Sequence, residues 1–243
     1  MKLQISAILL TAILFAAVIT AAGPGQAASV PVLLELFTSE SCSSCPPADR
    51  LLETLDRQPV ANAELIVVSE HVDYWNDLGW RDPNSSVVFT ARQQDYSHRL
   101  ATDLYTPQLV IDGYLQATGS DKTEVLQTIA LAARKPKLIL SVHATPGNAG
   151  LIHVEASGAA VRANLYIIVA AGHAESEVLH GENSGQKLTH VAVAQSVTKI
   201  GKWTGMAGQD VPGKNARAGD TRVIAILADP ATGKVLGAAQ TRF

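Results

Sequence analysis

Cys42-Ser43-Ser44-Cys45-Pro46-Pro47 is the stretch around which this chain of 243 residues is organised, and it contains both of its cysteines. The run 32–37 before it is apolar apart from one glutamate, which is typical of a buried strand. After it, apolar residues recur at helical spacing, namely Ala48, Leu51, Leu52 and Leu55. The spacing therefore predicts that the cysteines lie on a strand-to-helix turn, at or just before a helix N-terminus.

Two cysteines separated by two residues in such a turn are typical of a dithiol that cycles with its disulfide. Backbone N–H groups and the helix dipole favour a thiolate there, so a thiol pKa can fall from about 8.5 to between about 3.5 and 7.5. Two alternatives stay open. A structural disulfide closing so few residues would constrain the unfolded chain by only roughly 2 kcal/mol, and two thiolates could also bind a soft metal ion.

Residues 1–28 have the composition of an export signal. Lys2 precedes a largely apolar run over residues 5–22, and Gly23-Pro24 and several small residues follow that run. We therefore expect a cleaved signal peptide, a periplasmic or secreted protein and no membrane span after cleavage. The formal net charge is −3 and no block of basic residues occurs, so nucleic acid is not an expected partner.

The pattern of the chain changes near residue 136. Residues 29–135 alternate between strand-like and helix-like segments, whereas residues 136–243 show a succession of strand patterns separated by turns. In the first region Asp82-Pro83 predicts a helix start, and Asp112-Gly113 predicts a type I′ hairpin turn between two strands. The pattern predicts an α/β domain over 29–135, followed by an all-β sandwich domain over 136–243.

The first region resembles the thioredoxin superfamily, because Cys42 and Cys45 follow the first strand and Thr106-Pro107 precedes the hairpin. The resemblance implies a thioredoxin-like domain in which Cys42 is the exposed nucleophile and Cys45 the resolving cysteine. It also implies that Pro107 follows a cis peptide bond, and that Thr106 and Pro107 contact the backbone of a partner protein.

The whole chain is also similar to a family of exported bacterial proteins that have a thioredoxin-like domain and no settled function. The similarity is carried by six short segments, which are 35–40, 42–49, 71–75, 81–83, 105–108 and 181–183. It supports the expected fold and implies no substrate. It leaves open whether Gly181-Glu182-Asn183 faces the cysteines or is an ordinary polar turn.

Several further residues are candidates for accessory roles. His71, Asp73 and Trp75 follow the second predicted strand, at the edge where ligands bind in open α/β sheets. His71 could donate a proton, bind a metal ion with the thiolates, or have a structural role. Glu35 could serve Cys45 as a base only if a bulge interrupts the first strand, because a one-residue shift reverses the direction of a strand side chain.

The sequence therefore predicts an exported protein that exchanges thiols and disulfides with an unknown protein partner through Cys42 and Cys45. The prediction includes no cofactor and no metal site, and it does not fix the direction of the redox reaction or the oligomeric state. Two alternatives belong to other classes. One is a periplasmic copper- or metal-binding chaperone that uses His71 beside the thiolates, and the other is a binding module in which the dithiol is incidental.

Overall fold

The computed structural model describes residues 29–144, 151–157, 161–203, 209–212 and 220–242, so the predicted signal peptide lies outside the described residues. The helices are α1 (Pro46–Arg57), α2 (Val87–Leu100) and α3 (Lys122–Ala132). The strands are β1 (Val30–Thr38), β2 (Ala63–His71), β3 (Gln108–Ile111), β4 (Leu115–Thr118), β5 (Ile139–Ala144), β6 (Leu151–Ser157), β7 (Ala163–Glu177), β8 (Lys187–Trp203), β9 (Gln209–Pro212), β10 (Thr221–Ala228) and β11 (Val235–Arg242). Among the described residues, no helix has the length and apolar character needed to cross a membrane.

A mixed sheet of eight strands dominates the described part of the chain, with the order β11-β10-β7-β8-β2-β1-β3-β4. β1 and β2 are parallel, and β8 meets β2 in parallel at Ser69 and Val193. A second, three-stranded sheet has the order β5-β6-β9. Strands from both halves of the sequence therefore belong to one sheet.

The predicted fold, a thioredoxin-like α/β domain followed by a separate all-β sandwich, is wrong. β7, β8, β10 and β11 pair with one another but do not form an independent sandwich, because β8 extends the sheet from the edge of β2. A strand edge left open exposes unpaired N–H and C=O groups, and β8 satisfies part of that edge. Local strand patterns carry no information about which edge a distant strand will join.

Successive side chains of β1 point to opposite faces of the larger sheet and pack against different layers of the molecule. Val32, Leu34 and Leu36 belong to a buried cluster with residues of α1 and α3. Leu33 and Phe37 point to the other face, where they join buried clusters that include residues of α2. Beyond β2, the small sheet packs on β7 and β10. The larger sheet is thus covered on both faces, which explains why β1 is almost wholly buried.

Two local predictions for the first region have different outcomes. Asp112 and Gly113 have φ angles of 51° and 67°, so the type I′ turn between β3 and β4 is confirmed. The predicted helix start at Asp82-Pro83 is wrong, since α2 begins at Val87 and the hydroxyl of Ser86 accepts the capping bond from Val88 N. The Asp82 carboxylate is instead bonded to other residues near the cysteines and does not cap α2.

Candidate functional site

Cys42 and Cys45 form a disulfide on the turn between β1 and α1, here called the cysteine turn (residues 39–45). Cys45 is the N-cap of α1, and its carbonyl oxygen accepts bonds from the backbone N–H groups of Ala48 and Asp49. Pro46 and the proline after it fill the first helical positions, where a missing N–H has no intrahelical partner to lose. The predicted placement of the cysteines at a helix N-terminus is confirmed.

Both cysteines are closed off from solvent, with 0% of each residue exposed. Ser43 and Ser44 between them are exposed, so the turn presents its serines and hides its sulfur atoms. The resemblance to thioredoxins implied an exposed Cys42. In this oxidised state Cys42 is buried instead.

The loop between β7 and β8, here called the hairpin loop (residues 178–186), covers the cysteine turn. The amide of Asn183 donates hydrogen bonds to the carbonyl oxygens of Glu40, at 2.9 Å, and Cys42, at 3.0 Å. Ser43 N donates to Glu182 Oε2 at 3.1 Å. The bonds from Ser43 lower the pKa of the Glu182 carboxyl. The hairpin loop therefore faces the cysteines, which answers the question that the sequence left open.

Glu40 is a buried carboxylate at the start of the cysteine turn. It accepts hydrogen bonds from Trp80 Nε1 at 2.8 Å and from Ser176 Oγ at 2.6 Å, and His190 Nε2 lies 3.6 Å away. Burial by itself would raise the pKa of Glu40, but these partners outweigh burial and lower it. Glu40 thus joins three segments of the chain at the base of the cysteine turn.

His190 on β8 lies between two carboxylates. Its Nδ1 is 3.6 Å from Asp49 Oδ1, on the opposite side of the ring from Glu40. Burial opposes the charged imidazolium, yet the two carboxylates raise the pKa of His190 to about 10. Asp49 follows Cys45 by four residues on α1, and residues at that spacing lie on the same helix face. A buried positive charge is therefore held next to the helix turn that carries Cys45.

His71 lies beside this cluster, at the end of β2. Its Nδ1 is 2.6 Å from Asp82 Oδ2, and its ring contacts that of His190 at 4.6 Å between centroids. Asp82 Oδ2 also accepts a bond from Glu40 N, and its pKa is lowered because its hydrogen-bond partners outweigh burial. Within the described residues, no group of three or more His, Cys, Asp or Glu side chains is arranged to hold a metal ion.

The peptide bond between Thr106 and Pro107 is cis, as expected. A Cβ placed on Gly119 would be 3.2 Å from Ala48 Cβ and 3.3 Å from Pro107 Cβ, so Pro107 is close to the first turns of α1. Trp75 Nε1 donates to Thr106 Oγ1 at 2.9 Å. Pro107 is thus close to the helix that begins at the cysteines, whereas Trp75 packs against a buried cluster that includes Tyr96 of α2.

Two predicted accessory residues have other partners. Asp73 accepts a bond from Thr90 Oγ1 at 2.5 Å, near the start of α2. Glu35 is buried on the α2 face of the sheet, where it accepts bonds from Arg92 Nε at 2.7 Å and Tyr96 OH at 2.6 Å. No bulge interrupts the pairing of β1 with β2, so Glu35 faces away from α1 and its cysteine.

Sequence reasoning missed Glu40, Asp49 and His190 as members of the site. Glu40 and Asp49 fall within segments that carried the family similarity, but nothing in their local pattern indicated a role. His190 lies in a strand pattern more than a hundred residues from the cysteines, where no local signal exists. Asn183 had one signal, its place in the segment 181–183.

Comparison with known proteins gives a family and a fold. The profile of a family described as "Protein of unknown function (DUF1223)" matches residues 33–228. The X-ray crystal structure of protein AGR_C_4864 from Agrobacterium tumefaciens is similar, with TM-score 0.75 and 24% identity over 88% of this chain and 95% of that one. HBP35 of Porphyromonas gingivalis is similar with TM-score 0.56 and 13% identity, over 89% of this chain and 76% of that one. No curated protein matches significantly.

Proposed function

This chain belongs to the DUF1223 family of proteins of unknown function, and from the geometry of its site we propose that it exchanges thiols and disulfides with a protein partner. The observation that carries the proposal is the Cys42–Cys45 disulfide on a turn that ends at the N-terminus of α1. The positive end of the α1 dipole favours a thiolate at that place. A thiolate is the form that attacks and leaves in disulfide exchange.

The proposed reaction begins from the oxidised protein. A partner thiolate attacks Cys42 Sγ, forms a mixed disulfide with it, and releases Cys45 as a thiolate. A second partner thiolate then attacks the partner sulfur of the mixed disulfide and releases Cys42. The partner loses two electrons and becomes a disulfide, while the cysteine pair gains two electrons and binds two protons. Run in reverse, the same steps reduce a partner disulfide, with Cys45 resolving the intermediate.

Thr106 and Pro107 are the proposed contact for the partner backbone. This assignment depends on the local resemblance of the cysteine turn and Pro107 to the site of the thioredoxin superfamily, and the closeness of Pro107 to α1 supports it. Trp75 holds Thr106 through its indole N–H and so takes part indirectly. The proposed location is outside the cytoplasm, in the periplasm or the medium, where disulfides persist.

The metal-chaperone alternative has less support. It requires His71 to face the two thiolates, but His71 is bonded to Asp82 and packs against His190, and the cysteines are joined to each other. No specific observation favours it over disulfide exchange.

The reduction potential of the couple tests the proposal. The protein lacking residues 1–28 is equilibrated with glutathione redox buffers, and the fraction of reduced Cys42 and Cys45 is measured by thiol labelling. A value between about −120 and −270 mV is the range of working oxidoreductases. A value below about −300 mV would mean a disulfide that resists exchange and would overturn the proposal.

Trapping identifies the partner. Cys45→Ser removes the thiol that resolves the mixed disulfide at Cys42, so conjugates should accumulate in envelope or culture-fluid extracts and disappear on reduction. The matched control is the double variant Cys42→Ser, Cys45→Ser, which should form none. Equal conjugates in both variants would contradict a role for Cys42 as the nucleophile.

A further inference from the structure

The hairpin loop, which bonds the backbone of the cysteine turn, buries two of its own side chains. Val178 and Asn183 are buried in the hairpin loop, whereas the other residues of 178–186 are exposed. Leu179, the bulky aliphatic residue beside Val178, is 59% exposed. Gly181 and Gly185 both have φ angles of 79°, a backbone conformation that glycine adopts without strain. Segments with few buried apolar contacts open at low free energy.

The polar contacts of this loop are made to the backbone of the cysteine turn itself. Asn183 bonds the carbonyl oxygens of Glu40 and Cys42, and the Glu182 carboxylate accepts from Ser43 N. These three bonds flank Cys42 on both sides in the sequence. Since both sulfur atoms are inaccessible while the loop is in place, an attacking thiolate cannot reach Cys42 Sγ in this conformation.

We propose that Glu182 and Asn183 are positioning residues that latch the hairpin loop over the oxidised Cys42–Cys45 pair, and that exchange requires their release by the incoming thiol or its carrier protein. The inference rests on the proposed thiol–disulfide function. It adds to it a closed state, in which the disulfide is protected, and an open state, in which it reacts.

The latch also affects the stability of the Cys42 thiolate. Ser43 N–H is one of the donors next to Cys42 that could stabilise a thiolate, and the Glu182 carboxylate occupies it. The same carboxylate brings a negative charge towards that thiolate, which disfavours it. Release of Glu182 therefore frees a donor and removes a charge before Cys42 leaves as a thiolate in the second step of exchange. Release of the hairpin loop therefore both exposes Cys42 and stabilises its thiolate.

Reduction by dithiothreitol tests the latch without any partner protein. The second-order rate constant is measured for the oxidised protein and for Asn183→Ala and Glu182→Gln. Asn183→Ala removes two hydrogen bonds of the latch, so we expect reduction to be faster by about tenfold or more. Glu182→Gln weakens one bond and removes the charge, and we expect a gain of about threefold. Glu182 is on the surface, so its variant will fold.

Glu177→Gln is the matched control, because Glu177 is an exposed carboxylate on the same hairpin, outside the hairpin loop. Its rate should stay within about twofold of the parent, as surface substitutions usually have little effect. Urea unfolding of each oxidised variant separates opening of the loop from loss of global stability. Rates that do not change in either latch variant would overturn the proposal, as would rates that rise only in proportion to lost stability.

A second experiment tests how the Glu182 carboxylate affects ionisation of Cys42. In Cys45→Ser, the rate of Cys42 alkylation by iodoacetamide is measured against pH, with and without Glu182→Gln. The pH midpoint should fall in the double variant, and an unchanged midpoint would contradict the electrostatic part of the latch. The two proposals can fail separately. A potential below about −300 mV, together with faster reduction of the latch variants, would refute disulfide exchange but support the latch. A potential in the range of working oxidoreductases, together with unchanged rates in the latch variants, would refute only the latch.

Discussion

His190 Nε2 lies 3.6 Å from Glu40 Oε1, and both side chains are fully buried although the two residues are 150 positions apart in the sequence. Asp49 Oδ1 is equally distant from the other ring nitrogen. This arrangement joins β8 to both flanks of the cysteine turn, Glu40 before Cys42 and Asp49 after Cys45. The site is therefore assembled from distant segments by buried charge as well as by apolar packing.

Replacing His190 should destabilise the protein strongly. His190→Gln leaves Glu40 and Asp49 buried without their shared cation, and breaking a buried ion pair in this way costs about 3–5 kcal/mol. The free energy of unfolding in urea at pH 7, with the disulfide intact, measures this loss. The control is His173→Gln, whose ring is exposed and bonded to the exposed Glu175, where we expect less than about 1 kcal/mol. Equal losses in both variants would contradict the prediction.

The stabilisation by His190 should depend on pH in a definite direction. The folded protein raises the pKa of His190 from 6.5 to about 10, so the folded state binds this proton more tightly than the unfolded state. The contribution is complete below pH 6.5 and is lost as the pH rises through about 10. The stability difference between the parent and His190→Gln should therefore shrink between pH 7 and about 10. A difference that stays constant over this range would show that His190 is already neutral in the folded protein at pH 7.

Two buried carboxylates should affect the reduction potential differently. Asp49 follows Cys45 by one helical turn, so Asp49→Asn removes a negative charge near the Cys45 thiolate and should raise the potential, by about 30 mV for a tenfold change in equilibrium constant. Glu35 lies on the other face of the sheet, bonded to Arg92 and Tyr96. Glu35→Gln should lower stability and shift the potential by less than about 15 mV. Equal shifts would show that Glu35 does act on the dithiol.

Asp112 should contribute more to stability than an ordinary capping aspartate. It accepts a bond from Leu33 N and pairs with Lys137, and both side chains of the pair are almost fully buried. Asp112→Ala leaves Lys137 buried and unpaired, which should cost about 3–5 kcal/mol. Asp121→Ala removes the N-cap of α3 and should cost about 1 kcal/mol. Thermal or urea unfolding of the two variants gives the comparison, and similar losses would contradict it.

Gly119 should not tolerate a side chain. A Cβ there would be 2.8 Å from Leu36 Cδ1, besides its close approach to Ala48 and Pro107. Leu36 is buried and cannot move aside freely, so Gly119→Ala should cost about 1–3 kcal/mol through overpacking. Urea unfolding measures this loss. If stability is unchanged, the packing between α1 and Pro107 is looser than the structure shows.

The sequence predicts local structure best where neighbouring residues decide the backbone conformation. The strand, turn and helix around Cys42 and Cys45 follow from apolar spacing, and the Asp112-Gly113 turn follows from the need for positive φ at two successive residues. The cap of α2 was mistaken because Asp82 looks like a cap in isolation. The Asp82 carboxylate is instead hydrogen-bonded to His71 at the end of β2 and to Glu40 N in the cysteine turn.

The sequence by itself determined the position of the dithiol at a helix N-terminus, because hydrophobic period and cysteine spacing are local properties. Only the tertiary structure decided that β8 joins the edge of β2, since any strand with an unpaired edge can accept another. That single pairing brings His190 between Glu40 and Asp49 and places Asn183 over Cys42. Long-range pairing is selected by the total burial and hydrogen bonding of the whole sheet, which no short stretch of sequence encodes.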